Sequence, residues 1–97
     1  ILHTSCSLLI QENADPSVLD DLISYFNTQV PEDFNYSHNS EGKDDMPAHI
    51  KSALTQSNLS LSIIMGEVML GNWQGIYLFE HRTDRKNRKV LLHYLGE

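Results

Sequence analysis

The apolar positions of this chain fall into two periods. Residues 1–10 place Ile1, Leu2 and Leu8 to Ile10 around a small polar segment and predict a strand. Val18, Leu19, Leu22, Ile23 and Phe26 then recur at three- and four-residue spacing, which predicts a helix from Pro16 to about Gln29. Asp15 is placed to cap it, Pro16 takes the first helical position, and Asp20 and Asp21 fall where the helix dipole favours acids. A second helix is entered through Asp44, Asp45 and Pro47, with Asp45 as the cap and Ile50, Ala53 and Leu54 as its apolar stripe. Leu59 to Met65 alternates and predicts a strand that turns at Gly66-Glu67 into Val68 to Leu70. Gly75 to Arg82 reads as a further strand, Thr83 to Asn87 as a hairpin tip and Arg88 to Leu95 as the return strand. The predicted class is α+β, with antiparallel sheets and two or three short helices in one domain over residues 1–97.

Between the helices, Val30 to Lys43 has no period. A loop of that length is uncommon in a small domain and is often functional; this one carries Tyr36 and His38. The chain opens on Ile1 and an apolar run without a polar lead-in, so strands preceding it are expected to be missing. The first strand would then be an unprotected apolar edge, and residues 1–97 would fold poorly by themselves.

Composition narrows the function classes. The formal net charge is −6, and five of the seven cationic residues (Arg82, Arg85, Lys86, Arg88 and Lys89) share one window. A nucleic-acid protein spreads cations over a face, so this cluster reads as a solvated hairpin tip rather than a phosphate clamp. No run approaches the roughly 18 apolar residues that span a bilayer. With the single cysteine Cys6 no internal disulfide forms, and a cytoplasmic protein is expected. Cys6, in an apolar strand, reads as packing before it reads as a nucleophile.

No Gly-rich phosphate loop, Cys-x-x-Cys pair, His-Glu-x-x-His or Gly-x-Ser-x-Gly is present. What remains is dispersed. His3, His38 and His49 come from a strand, a loop and a helix start. The positive end of a helix disfavours the imidazolium of His49, leaving the neutral ring that binds a metal or accepts a proton. Three imidazoles with a carboxylate such as Glu12 or Asp45 would form a zinc-type site with an open position. The same histidines also read as boundary residues bonded to their neighbours. Glu12 and Asn13 lie where a strand gives way to a helix, a common place for sites. Gly71 and Gly75 bracket the only tryptophan, Trp73, which suggests a close backbone approach beside a large aromatic.

Several stretches in order resemble the YjbQ family: His3-Thr4-Ser5, Gln11-Glu12-Asn13-Ala14-Asp15-Pro16, Tyr36-Ser37-His38-Asn39, Ala48-His49-Ile50-Lys51, Gly71-Asn72-Trp73-Gln74-Gly75-Ile76 and the closing Gly96-Glu97. The family usually has Thr where this chain has Asn72, which puts a hydroxyl contact there in doubt, and it carries a further N-terminal segment. The resemblance implies an α+β fold assembled as a homotrimer. It also implies, for some members, a secondary thiamine-phosphate synthase activity, which joins a pyrimidine pyrophosphate to a thiazole phosphate and releases pyrophosphate. On that resemblance His49, His3 and Glu12 are the catalytic candidates, and Asn13, Trp73 and Gln74 bind the phosphorylated small-molecule substrate. His3, His38 and His49 hold a divalent metal, zinc or magnesium. A metal-dependent hydrolase and a non-catalytic binding or scaffold trimer are the competing readings.

Overall fold

The computed structural model describes residues 1–97. In chain order the elements are β1 (Cys6–Glu12), α1 (Pro16–Gln29), α2 (Asp45–Leu54), β2 (Ile63–Ile64), β3 (Glu67–Val68) and β4 (Gln74–Glu80). The α+β class is as the pattern predicts. β1 and β4 pair antiparallel, with Cys6 opposite Glu80 and Glu12 opposite Gln74. Opposite residues share a face. Ser7, Leu9, Tyr77 and Phe79 therefore look one way, and Leu8, Ile10, Ile76 and Leu78 the other.

α1 covers the first face. Its Phe26 meets Phe79 edge to face, with ring centroids 5.5 Å apart. Asp15 caps the helix as expected, its Oδ1 accepting from the Ser17 amide at 2.9 Å. With Pro16 at the start, Asp20 and Asp21 lie one turn further in than the dipole argument placed them.

α2 lies along the outer edge of β1. The Ser52 hydroxyl donates to the Cys6 carbonyl at 2.8 Å, and the Leu8 amide donates to the Gln56 carbonyl at 2.8 Å. The edge expected to be bare is thus covered at these positions. Asp45 opens α2 rather than capping it, which moves His49 into the second turn. The buried face of α2 also differs from the predicted stripe. Asp45, Pro47, Ala48 and Lys51 are buried while Ala53 and Leu54 are exposed. Polar partners from other segments hold Asp45 and Lys51 inward, which no helical period encodes.

The C-terminal third departs most from expectation. Only Ile63 and Ile64 of the alternating run pair with another strand, through a tight turn whose central residues Met65 and Gly66 have φ of 52° and 80°. The predicted return strand is absent, and residues 83–97 contain no strand. After β4, Arg82 and Thr83 bond Asp44, which draws the chain toward α2 and prevents a tight return. The basic window is solvated only in part: Arg85, Lys86 and Lys89 are exposed, while Arg82 pairs with Asp44 and Asp45, and Arg88 with Glu80.

Little of the interior is apolar. Of nine buried residues, five are polar or charged: Ser5, Ser7, Asp45, Lys51 and His81. Cys6 is buried as a packing residue, and burial pushes its thiol pKa up. The second face of the sheet is half open, with Ile76 and Leu78 exposed.

Candidate metal centre

His38, Asp45 and His49 meet at the start of α2. Each offers one ligand atom, and these atoms all lie within 4.8 Å of one another. Asp45 Oδ2 is the common point, 2.8 Å from His38 Nε2 and 3.2 Å from His49 Nε2. Helical spacing explains half of this, because residues four apart stack on one face. The irregular loop brings His38, whose Nε2 also lies 2.9 Å from Glu41 Oε2. In the same loop Tyr36 donates from its hydroxyl to the Pro31 carbonyl at 2.7 Å. The carboxylate is buried while the imidazoles stay partly open, so the group has a closed floor and an accessible mouth.

Arg82, just past β4, holds that floor. Its Nη1 donates to Asp45 Oδ1 at 2.7 Å, its Nε to Asp44 Oδ2 at 2.9 Å and its Nη2 to the Glu41 carbonyl at 3.0 Å. Burial raises the Asp44 pKa, but bonds from Arg82 and Thr83 outweigh it and hold the group at about 2. Burial likewise pushes Asp45 up. The bond from His38 and the charges of His49 and Arg82 overcome it, and the net direction is down. Both carboxylates are ionised at neutral pH.

One contact sets the chemistry. His49 Nδ1 lies 3.0 Å from the Thr4 carbonyl. A carbonyl only accepts, so Nδ1 carries the hydrogen and Nε2 is the atom turned toward Asp45. Nε2 lies 3.2 Å from Asp45 Oδ2, a contact satisfied either by a proton on Nε2 or by a cation between the two atoms. A carbonyl behind the ring is also the usual support of a metal-binding imidazole.

The other candidates lie elsewhere. His3 Nε2 accepts from the Lys89 amide at 2.7 Å and stands outside the group. Glu12, Asn13, Trp73 and Gln74 gather at the opposite end of the β1–β4 pair, six residues or about 20 Å along the strand from Cys6. There the Asn13 side-chain amide donates to the Gln74 carbonyl at 3.2 Å, and the Asn13 backbone amide to the Trp73 carbonyl at 3.0 Å. Glu12 Oε2 accepts from the Asp15 amide at 3.2 Å. Trp73 is exposed. The glycine at 75 is a packing requirement: a Cβ there would lie 3.1 Å from Asn13 Cβ and 3.2 Å from the Tyr77 ring. Gly75→Ala is expected to cost about 1–2 kcal/mol in urea unfolding, the scale of an overpacked contact. An unchanged midpoint would show that Asn13 yields freely.

Sequence reasoning missed Arg82 and Asp44, because Arg82 sat in a window read as a solvated tip. The available signal was Glu80-His81-Arg82, charged and titratable residues closing an otherwise apolar strand.

Comparison with known proteins agrees with this architecture. The family model described as UPF0047 protein YjbQ-like matches residues 1–97. A UPF0047 protein of Synechocystis sp. is 53% identical over 100% of this chain and 67% of its own length. The UPF0047 protein YjbQ of Escherichia coli O157:H7 is 44% identical over 98% of this chain and 69% of its own. Among solved structures, a conserved hypothetical protein of Thermus thermophilus superposes with a TM-score of 0.77 at 36% identity, covering 88% of this chain and 66% of that one. A YjbQ/UPF0047 protein of Clostridium acetobutylicum gives 0.79 at 38% identity, covering 87% and 63%. The chain thus spans about two thirds of the length of these relatives. No helix is long and apolar enough to cross a membrane. With a family model matched from end to end and relatives this similar, the chain belongs to the YjbQ-like UPF0047 family.

Proposed function

We propose that this chain forms the cation-binding part of a small metal-dependent enzyme acting on a phosphorylated small molecule, with His38, Asp45 and His49 holding one divalent ion. The observation that carries the reading is the convergence of His38, Asp45 and His49, whose ligand atoms lie within 4.8 Å of one another, with the His49 ring fixed from behind by the Thr4 carbonyl. Tetrahedral zinc ligands stand roughly 3.3 Å apart with bonds of about 2.0–2.1 Å. The His49–Asp45 pair at 3.2 Å matches this, and the His38–Asp45 hydrogen bond at 2.8 Å would open by about 0.5 Å to admit the ion. Two imidazoles favour zinc over magnesium, which prefers an all-oxygen shell. Such an ion supplies Lewis-acid polarisation and an acidified water. The chain's residues supply the rest: Asp45 brings the negative charge, Arg82 fixes its orientation, and the Thr4 carbonyl sets the tautomer of His49.

Metal-assisted hydrolysis is the reaction these residues support best. Thiamine-phosphate formation is the second reading, drawn from the family resemblance, and it needs a cradle for the leaving pyrophosphate. Arg82 and Arg88 are committed to carboxylates, and Trp73 stands at the far end of the sheet, so neither is free to build one beside the histidines. We assign the active form to a homotrimer, in which subunit contacts cover the half-open sheet face.

Zinc titration by calorimetry, run with assays of phosphate release from an aryl phosphate and of thiamine-phosphate formation, tests the reading. One zinc per chain and zinc-dependent phosphate release are expected, lost in His49→Ala and kept in the distant Glu12→Gln. A folded protein that binds no zinc would sink the metal assignment. Thiamine-phosphate formation without phosphate-ester hydrolysis would replace the hydrolase by the transferase.

A further inference from the structure

A second group of buried polar atoms lies away from the histidine cluster, in the walls of a cavity of about 630 Å³ between the C-terminal half of α1 and the end of β4. Neither His38, Asp45 nor His49 lines it. Lys51 does, and it is only 8% exposed. Its Nζ donates to Asn27 Oδ1 at 2.7 Å, and no carboxylate comes within ion-pair distance. An ammonium has three donors, and a buried charge normally acquires a charged partner. His81 lines the same cavity and is 6% exposed. Its Nε2 lies 2.9 Å from Ser7 Oγ, while its Nδ1 has no partner at all. Lys51 is thus short of acceptors, which a carboxylate entering the cavity would supply, and with Ser7 Oγ donating to Nε2 the neighbouring His81 carries its hydrogen on the unpartnered Nδ1. The rest of the wall is mixed: Phe26, Phe79 and three aliphatic residues form its apolar part, and Glu80 and Arg82 are among its polar members. Glu32, exposed, places one negative charge on the rim.

We propose that this cavity binds a small monocarboxylate with an apolar or aromatic body, its carboxylate on Lys51 and its body against Phe26 and Phe79. The charge balance selects the headgroup. Glu80 and Arg82 also line the cavity but are paired, with Arg88 and with Asp44 and Asp45, so Lys51 is the one cation of the lining without a carboxylate partner and matches a single negative charge. A phosphate dianion would set a second charge against Glu32 and the chain's net charge of −6. The volume is that of ordinary small-molecule sites.

The test uses the purified full chain, stripped of metal with a chelator so that a cation at His38 and His49 cannot capture the anion. Benzoate, hexanoate, phenyl phosphate and benzyl alcohol are titrated at neutral pH, and the His81 ring nitrogens are followed by NMR. Saturable millimolar binding of benzoate or hexanoate is expected, with the His81 signals moving and benzyl alcohol inert. Lys51→Met should weaken binding by about 10- to 100-fold, the loss of one charged hydrogen bond. Should that variant fail to fold, Ile23→Trp serves instead, since it fills the mouth from an exposed position and should abolish binding. No saturable carboxylate binding, binding that leaves His81 unmoved, or binding unchanged in a folded variant would overturn the proposal. Tighter binding of phenyl phosphate than of benzoate would overturn the choice of headgroup.

Discussion

Asp45→Asn is expected to lose zinc affinity by more than the 10- to 100-fold that removal of an outer partner typically costs, and to be about 2 kcal/mol less stable. The two effects share one cause. Oδ1 accepts from Arg82 at 2.7 Å while Oδ2 stands at 2.8 and 3.2 Å from the two imidazoles. An amide has one oxygen for these two tasks. With the oxygen toward Arg82, its NH₂ faces the histidines and cannot ligate a metal. With the oxygen toward the histidines, NH₂ meets the guanidinium donor to donor. Breaking a fully buried pair costs about 3–5 kcal/mol; the smaller figure here reflects that Arg82 keeps Asp44 and some solvent. Calorimetric zinc titration and urea unfolding measure the two losses. Asp44→Asn is the control, because it touches Arg82 and Thr83 but neither histidine, and should reduce zinc affinity only about tenfold. Equal zinc binding by Asp45→Asn and the wild type would remove Asp45 from the ligand set.

The second large effect is on pH. His81 is neutral in the fold, its pKa pushed down to about 4, first by burial and then by the charges of Lys51 and Arg88, with Glu80 opposing. In the unfolded chain it titrates near 6.5. Between those values the unfolded state holds the extra proton, so stability is full above about pH 6.5 and declines as pH falls toward 4. At pH 4.5 the loss amounts to about 2 kcal/mol, allowing for relaxation around the ring. His81→Gln should flatten that part of the profile, measured by urea unfolding at pH 7 and 4.5. Carboxylates held below their usual range, Asp44, Asp45 and Glu80, contribute their own loss at lower pH. A wild type and variant that lose stability equally over this interval would show that His81 is not held neutral.

The apolar periods of the sequence determined the elements they could determine. α1 follows from its three- and four-residue spacing with Asp15-Pro16 before it, β1 and β4 from β-forming runs ended by polar residues, and a tight turn from Gly66. That turn lies at Met65-Gly66, one residue before the predicted Gly66-Glu67, because Glu67 pairs with Ile64. Local preferences suffice there, because each element's identity depends on neighbours within a few residues. The motifs in order placed the chain in its family, and His38, His49 and a carboxylate were legible as ligand types.

Tertiary structure alone decided which of them meet. Asp45, not Glu12, is the carboxylate beside His38 and His49, because Glu12 ends the strand far from α2. His3 stands apart because the Lys89 amide takes its ring nitrogen. Arg82 crosses 37 positions to hold Asp45, and Lys51 crosses 24 to reach Asn27. Those long-range polar bonds turned the buried face of α2 away from its apolar stripe and kept the chain after β4 from returning as a strand. Periodicity records where a helix or strand is greasy. It carries no information about a distant charge that makes a polar residue the one to bury.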